Sequence, residues 1–278
     1  MKKFAIAFLL IVILVLGTAT IASAVTDGEL DGEGHPFVGL MVAQDAQGNP
    51  LWRCSGTLLS PTLFVTAGHC TEEPAAYAVI FFTADLITPD PAFTLDTRSC
   101  VGIAGYPCAG ANSYIGTDIF THPNYDPNAF FLFDLGVVVL DAGGFVAGTY
   151  GALPGENQLD ALKAGQHTGF TSVGFGLQKA FPDATAWKEV AMRQRMVSNP
   201  WLLQINTDFV GDFAIMLSNN ANSGGTCFGD SGGPNFIGVS NVLAGVTSFG
   251  LNPTCGGTGG VYRVDKADDL DWLATFSG

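Results

Sequence analysis

Basic side chains are scarce in this sequence. Only 11 Lys and Arg stand against 25 Asp and Glu; setting aside the first 24 residues removes Lys2 and Lys3 as well, leaving 9 against 25 and a formal net charge of −16. Binding to nucleic-acid phosphates needs a basic face, so nucleic acid is excluded as a partner. The acidic balance suits a soluble secreted protein. Charge of both signs together reaches only 13%, which is poor material for the charged outer faces of a helical bundle. No pair of cysteines has the C-x-x-C spacing of a zinc knuckle or a redox motif, and neither a metal nor a cofactor is expected. There is no repeat of 20–50 residues, no low-complexity tract, and no apolar run of spanning length beyond the N-terminus. Histidine is absent after position 167.

What is abundant is glycine, 36 residues, with 11% aromatics. That composition favours an all-β protein with many tight turns. Residues 1–24 are expected to be a secretory signal peptide: Lys2 and Lys3, an apolar run of 13 residues over 4–16, then Ala22-Ser23-Ala24 as a cleavage site. The protein is therefore expected outside the cell, with no membrane contact once the leader is gone. Six cysteines follow, at 54, 70, 100, 108, 227 and 255. Behind a signal peptide they suggest three disulfides, and spacing alone leaves 15 pairings open.

Short apolar runs broken by turn signals predict strands near 38–42, 51–59, 63–67, 76–83 and 135–140. A second set is expected near 169–175, 189–197, 212–217, 242–249 and 261–264. The Gly- and Ala-rich stretch 146–165, with Pro154, reads as a connection between two halves, 25–145 and 166–264. Only 265–278 changes rhythm: Ala267, Leu270, Leu273 and Ala274 recur at helical spacing, with acids gathered early where the helix dipole favours them.

The chemistry centres on Gly229-Asp230-Ser231-Gly232-Gly233-Pro234. A serine hydroxyl is a weak nucleophile until a base takes its proton. Neighbouring glycines permit a tight turn and let main-chain N–H groups converge on one point. The loose pattern G-x-S-x-G also belongs to α/β-hydrolases, but there the histidine follows the serine. Here His35, His69, His122 and His167 all precede Ser231. A subtilisin-like order, with Asp45 ahead of His69, lacks that family's local context.

With the order histidine, aspartate, serine, three segments together resemble the chymotrypsin-like serine proteases: Thr66-Ala67-Gly68-His69-Cys70, Asp134-Leu135-Gly136-Val137-Val138-Val139-Leu140, and the serine motif, separated by 65 and 97 residues. The resemblance implies His69 as general base, Asp134 as its orienting partner and Ser231 as nucleophile, with the Gly229 and Ser231 N–H groups as oxyanion hole. Asp126 is the alternative acid, but Pro123-Asn124-Tyr125-Asp126-Pro127 is turn chemistry. The other three histidines are expected to be structural or surface residues.

The resemblance further implies a Cys54–Cys70 bridge beside the histidine and a Cys227–Cys255 bridge bracing the pocket. Cys100–Cys108 remains by arithmetic. In the family an aspartate six residues before the serine selects Lys or Arg; here Gly225 stands there. Gly225, Ser248, Phe249, Gly250 and Gly260 are expected to form an open, uncharged pocket for an apolar or aromatic residue. Val25-Thr26-Asp27-Gly28 partly matches the family's mature start, so signal cleavage is expected to free a Val25 amine to pair with Asp230. The fold implied is two packed six-stranded antiparallel β-barrels and a C-terminal helix. The function implied is secreted serine endopeptidase, a monomer acting on polypeptides through an acyl-enzyme. A catalytically silent binding protein on the same fold and an esterase-like hydrolase are the alternatives.

Overall fold

The computed structural model describes residues 25–86, 113–165, 168–178 and 194–277. The expected leader, the Cys100–Cys108 pair and His167 lie outside them. A short strand β1 (Glu29–Leu30) precedes six that close on themselves: β2 (Val38–Gln44), β3 (Pro50–Leu58), β4 (Leu63–Thr66), β5 (Tyr77–Phe81), β6 (Ser113–Thr121) and β7 (Gly136–Leu140). Their order is β2-β3-β4-β7-β6-β5, with β5 returning to β2 and every pair antiparallel. β2 is buried along its whole length. Alternation explains how: Met41 and Ala43 join the main core, whereas Leu40 and Val42 pack with Val79, Phe81 and Phe175 of the other half.

The second half contains β8 (Phe170–Gly174), β9 (Met196–Ser198), β10 (Leu202–Thr207), β11 (Gly211–Asn219), β12 (Pro234–Ile237), β13 (Leu243–Gly250) and β14 (Gly257–Arg263). It forms the second of the two packed antiparallel β-structures expected, as a curled half-barrel. With β1 recruited, it is an open, curled sheet of eight strands in the order β1-β9-β8-β12-β13-β14-β11-β10. β9, next to the β1 edge, and β10, at the opposite edge, are nearly consecutive in the chain, with only Asn199-Pro200-Trp201 between them. Proline brings no N–H to a ladder. The gap is spanned instead by single bonds such as Phe170 N–H to Pro200 O (2.7 Å) and Ser218 N–H to Trp201 O (2.9 Å).

One body of buried side chains runs through both halves, from Phe64, Val65 and Val138 to Val173, Phe236 and Val246. Leu273 joins it from the C-terminal helix, Ala267–Ala274, which is shorter at both ends than the expected segment. Burial of this order, at about 25 cal/mol per Å² of apolar surface, holds the halves as one unit and sets the cleft between them.

Candidate active site

Strand register brings His69 and Asp134 together. β4 and β7 pair antiparallel with Thr66 opposite Gly136. His69 lies three residues beyond one end, on the helical turn Gly68–Thr71, and Asp134 two residues before the other. Gly136 lets that turn approach: a Cβ there would fall 2.6 Å from Ala67 O and from Thr71 Oγ1. Cys54–Cys70 ties the turn to β3, and Trp52 Nε1 donates to Cys70 O at 3.0 Å.

Asp134 is completely buried, and all its partners are donors. Oδ1 accepts the His69 backbone N–H (2.9 Å), the His69 Nδ1 lies 3.1 and 3.0 Å from Oδ1 and Oδ2, and Ser248 Oγ donates to Oδ2 at 2.5 Å. Burial on its own would disfavour the imidazolium. The Asp134 charge and hydrogen bond outweigh it, Glu72 adds to them, and the His69 pKa is raised above its usual 6.5. Asp126 plays the other part its context suggested: its side chain accepts from Asn128 N–H and caps a 3-10 turn at Pro127–Ala129.

Ser231 sits on a loop pressed against the first barrel. Its carbonyl accepts Ser55 N–H at 2.8 Å, and Ser55 Oγ donates to Gly229 O at 2.9 Å. Gly229 and Gly232 have φ of +94° and +75°, and a Cβ on Gly232 would fall 2.0 Å from Thr66 Oγ1. These positions therefore demand glycine both for backbone angle and for space. Neither the Gly229 nor the Ser231 amide donates to another group among the described residues. Ser231 and His69 line one cavity of about 360 Å³ with Trp52, Arg53 and Gly229. Hydroxyl and imidazole are not hydrogen-bonded to each other here; such contacts commonly tighten only when substrate is bound.

On the other side of Ser231 is a second cavity, of about 250 Å³. Ser248, Phe249 and Gly250 line it, together with Phe130, Thr226, Asn252 and Thr258, and among the described residues no charged side chain does. Cys227–Cys255 bridges two of its wall residues. Gly225 and Gly260 are placed differently. The space above Gly225 is taken by Asn219, whose Cγ would lie 2.2 Å from a Cβ there. Asn219 is held by Thr26 Oγ1 (2.6 Å) and donates to Thr226 O (2.8 Å). A Cβ on Gly260 would strike the Phe249 ring at 2.4 Å, so this glycine seats the aromatic wall. Phe130 and Thr226 escaped sequence reasoning, although Thr226 adjoins the serine motif; Asn252 lies in the loop before β14 and Thr258 on β14 itself.

Asp230 points away from Ser231 into a fully buried niche, where Oδ1 accepts Gly176 N–H (2.7 Å) and Oδ2 accepts Cys227 N–H (2.8 Å). Cβ atoms on Gly174 and Gly176 would fall 2.2 and 2.3 Å from its oxygens, so the glycines make the niche. Burial pushes the Asp230 pKa up to about 7, against the two amides and the Arg53 charge. Val25 is buried as well, with φ +51°, and the next residue pairs with the pocket strand through Gly225 N–H to Thr26 O (3.0 Å).

Comparison with known proteins agrees over most of the chain. The sequence model of the family described as Trypsin matches residues 32–272. Brachyurin of Leptuca pugilator is 28% identical over 236 residues, covering 82% of this chain and 89% of that protein. A trypsin of Saccharopolyspora erythraea is 28% identical over 255 residues, covering 86% and 92%. Among solved structures, HL collagenase superposes with a TM-score of 0.66 at 18% identity, covering 91% of this chain and 98% of that one. Human heparin binding protein superposes at 0.63 and 22%, covering 90% and 95%.

Proposed function

The chain belongs to the trypsin family of serine endopeptidases, and from that premise we propose that it cleaves polypeptides after an apolar or aromatic residue, using Ser231, His69 and Asp134. Ser231 Oγ attacks the scissile carbonyl while His69 Nε2 takes its proton. Asp134 holds the ring's own proton on Nδ1, which leaves Nε2 free as base, and stabilises the imidazolium that forms. The Gly229 and Ser231 amides receive the oxyanion. His69 then protonates the leaving amine, and water attacks the acyl-enzyme by the same route in reverse. The observation that carries the reading is the buried Asp134 carboxylate, bonded to both the backbone and the ring of His69, while Ser231 shares the imidazole's cavity.

The uncharged cavity beside Ser231 supports the apolar preference: an ionic side chain entering it would lose hydration without a counter-charge. Two disulfides and the expected leader support secretion. Removal of residues 1–24 would free the Val25 amine to pair with Asp230, a buried carboxylate whose charged form the Arg53 charge also favours. N-terminal sequencing of active protein checks this; a start other than Val25 overturns it.

Fold alone does not carry catalysis, since a protein named for heparin binding shares it. The deciding experiment is therefore covalent. A fluorophosphonate probe should label Ser231 in the secreted protein and fail to label Ser231→Ala. Absence of labelling in folded protein would favour a binding protein. Cleavage of esters without cleavage of matched peptides would favour an esterase.

A further inference from the structure

Asp134 is presented by a strained residue. Phe133, directly before it, has φ +52°, a left-handed conformation that costs a bulky side chain energy and persists only when its surroundings impose it. The turn is tight, with Leu135 N–H donating to Phe133 O at 2.7 Å. His122 packs directly against it. That imidazole stacks on the Phe133 ring with centroids 5.1 Å apart and planes 8° from parallel. Its backbone N–H donates to Leu135 O at 2.9 Å, so one residue grips both sides of Asp134.

His122 is itself held from behind. It is 3% exposed, and Asn124 N–H donates to its Nδ1 at 3.2 Å, which leaves the ring proton on Nε2. Nε2 lies 3.9 Å from Asp269 Oδ1 on the C-terminal helix, and Trp272 of the same helix meets the ring edge-on at 4.9 Å. Asp269 is fixed in turn by the Tyr262 hydroxyl, which donates to its carboxylate at 3.0 and 3.1 Å.

We propose that His122 is a positioning residue: its ring clamps the strained Phe133 turn and thereby fixes the Asp134 carboxylate on His69. The inference rests on the triad reading above. Without the ring face Phe133 can relax out of the left-handed region, and Asp134 retreats from Nδ1. Misplacement on the order of 1 Å costs about 10²-fold in rate.

The test uses the full secreted chain and three measurements: kcat and KM on a peptide substrate, the acid limb of kcat/KM, and Tm. The limb belongs to His69, whose charged neighbours are Asp134 and Glu72. His122→Ala is expected to lower kcat by about 10- to 100-fold with KM within about twofold, and to move the limb to lower pH. His122→Phe keeps a flat face toward Phe133 and should recover most of kcat. Should the alanine variant not accumulate, His122→Leu fills the space without a flat face and carries the same expectation. A lower Tm with kcat and limb unchanged overturns the clamp. Asp134→Asn separates the two failures. Unchanged kcat there overturns the triad reading and the clamp with it; a large loss there with none in His122→Ala overturns the clamp alone.

Discussion

Asp134→Asn is the sharpest perturbation of the proposed triad because the substitution keeps shape and changes only what the group can accept. The carboxylate meets donors on both oxygens: the His69 backbone N–H on Oδ1, Ser248 Oγ on Oδ2, and the His69 ring across both. An amide has one acceptor oxygen and one donor nitrogen. The backbone N–H cannot turn, so the amide oxygen must stay at the Oδ1 position, and the NH₂ falls where Oδ2 was. Ser248 can rotate its hydroxyl and accept. Nδ1 can accept only if its proton moves to Nε2, and Nε2 then cannot take the Ser231 proton. In the serine–histidine–aspartate template the wrong tautomer costs about 10⁴ in kcat, equal to about 5.5 kcal/mol of barrier. The lost hydrogen bond to a charged group is worth about 1.5–3 kcal/mol net, a fraction of the about 5–15 kcal/mol of a folded domain, so the variant should fold. The assay is kcat on a peptide anilide with Phe before the scissile bond, with a parallel thermal melt. The acid limb should also fall, because the Asp134 charge that raises the His69 pKa is gone. A folded variant with kcat within tenfold of the parent would refute the tautomer argument.

Two further predictions concern the pocket and a buried acid. Gly250 lines the cavity beside Ser231, and the nearest atom to a Cβ there is Asn252 O at 3.8 Å, so Gly250→Val adds bulk at the cavity wall without a backbone clash. It should lower kcat/KM for Phe relative to Ala before the scissile bond by about 10- to 200-fold; paired peptides read the ratio, and an unchanged ratio rejects this cavity as the side-chain pocket. Burial, with Asp268 nearby, pushes the Asp269 pKa from 3.8 up to about 7. The native state therefore binds this proton more tightly than the unfolded chain does. The stability it contributes is full below about 3.8 and is lost as pH rises through about 7. His122, whose pKa burial lowers despite the Asp268 charge, acts in the opposite direction. In a Ser231→Ala background, which prevents self-digestion, Tm should fall between pH 5 and 8, and the fall should be smaller with Asp269→Asn. Equal falls would show that Asp269 does not titrate in this range.

Much of the architecture was legible because its signals are local. β4 and β7 are apolar runs bounded by turn residues, and β4 ends three residues before His69. The glycines around Ser231 announce a tight turn, which φ of +94° and +75° at Gly229 and Gly232 requires. Less local matters were not legible. β6 is a half-exposed strand without clean alternation, and β12 begins with a proline. The open second sheet depends on β1 finding β9 across more than 160 residues. No window of sequence contains that pairing.

The pocket shows the same division. Gly225 and Gly260 looked like empty floor and wall. Packing decided that Asn219 fills the first space and the Phe249 ring the second. His122 looked like one more structural histidine, and only tertiary contact places it flat against the residue that presents Asp134. The sequence by itself determined the β-rich class, the family through three ordered motifs, and which residue types could perform acyl transfer. Those follow from covalent order and short-range backbone preference. Tertiary structure alone decided which sheet stays open, which side chains line the cleft, and how a strained turn is held. Each of these is an energy difference among groups far apart in the chain, and it exists only once they are packed together.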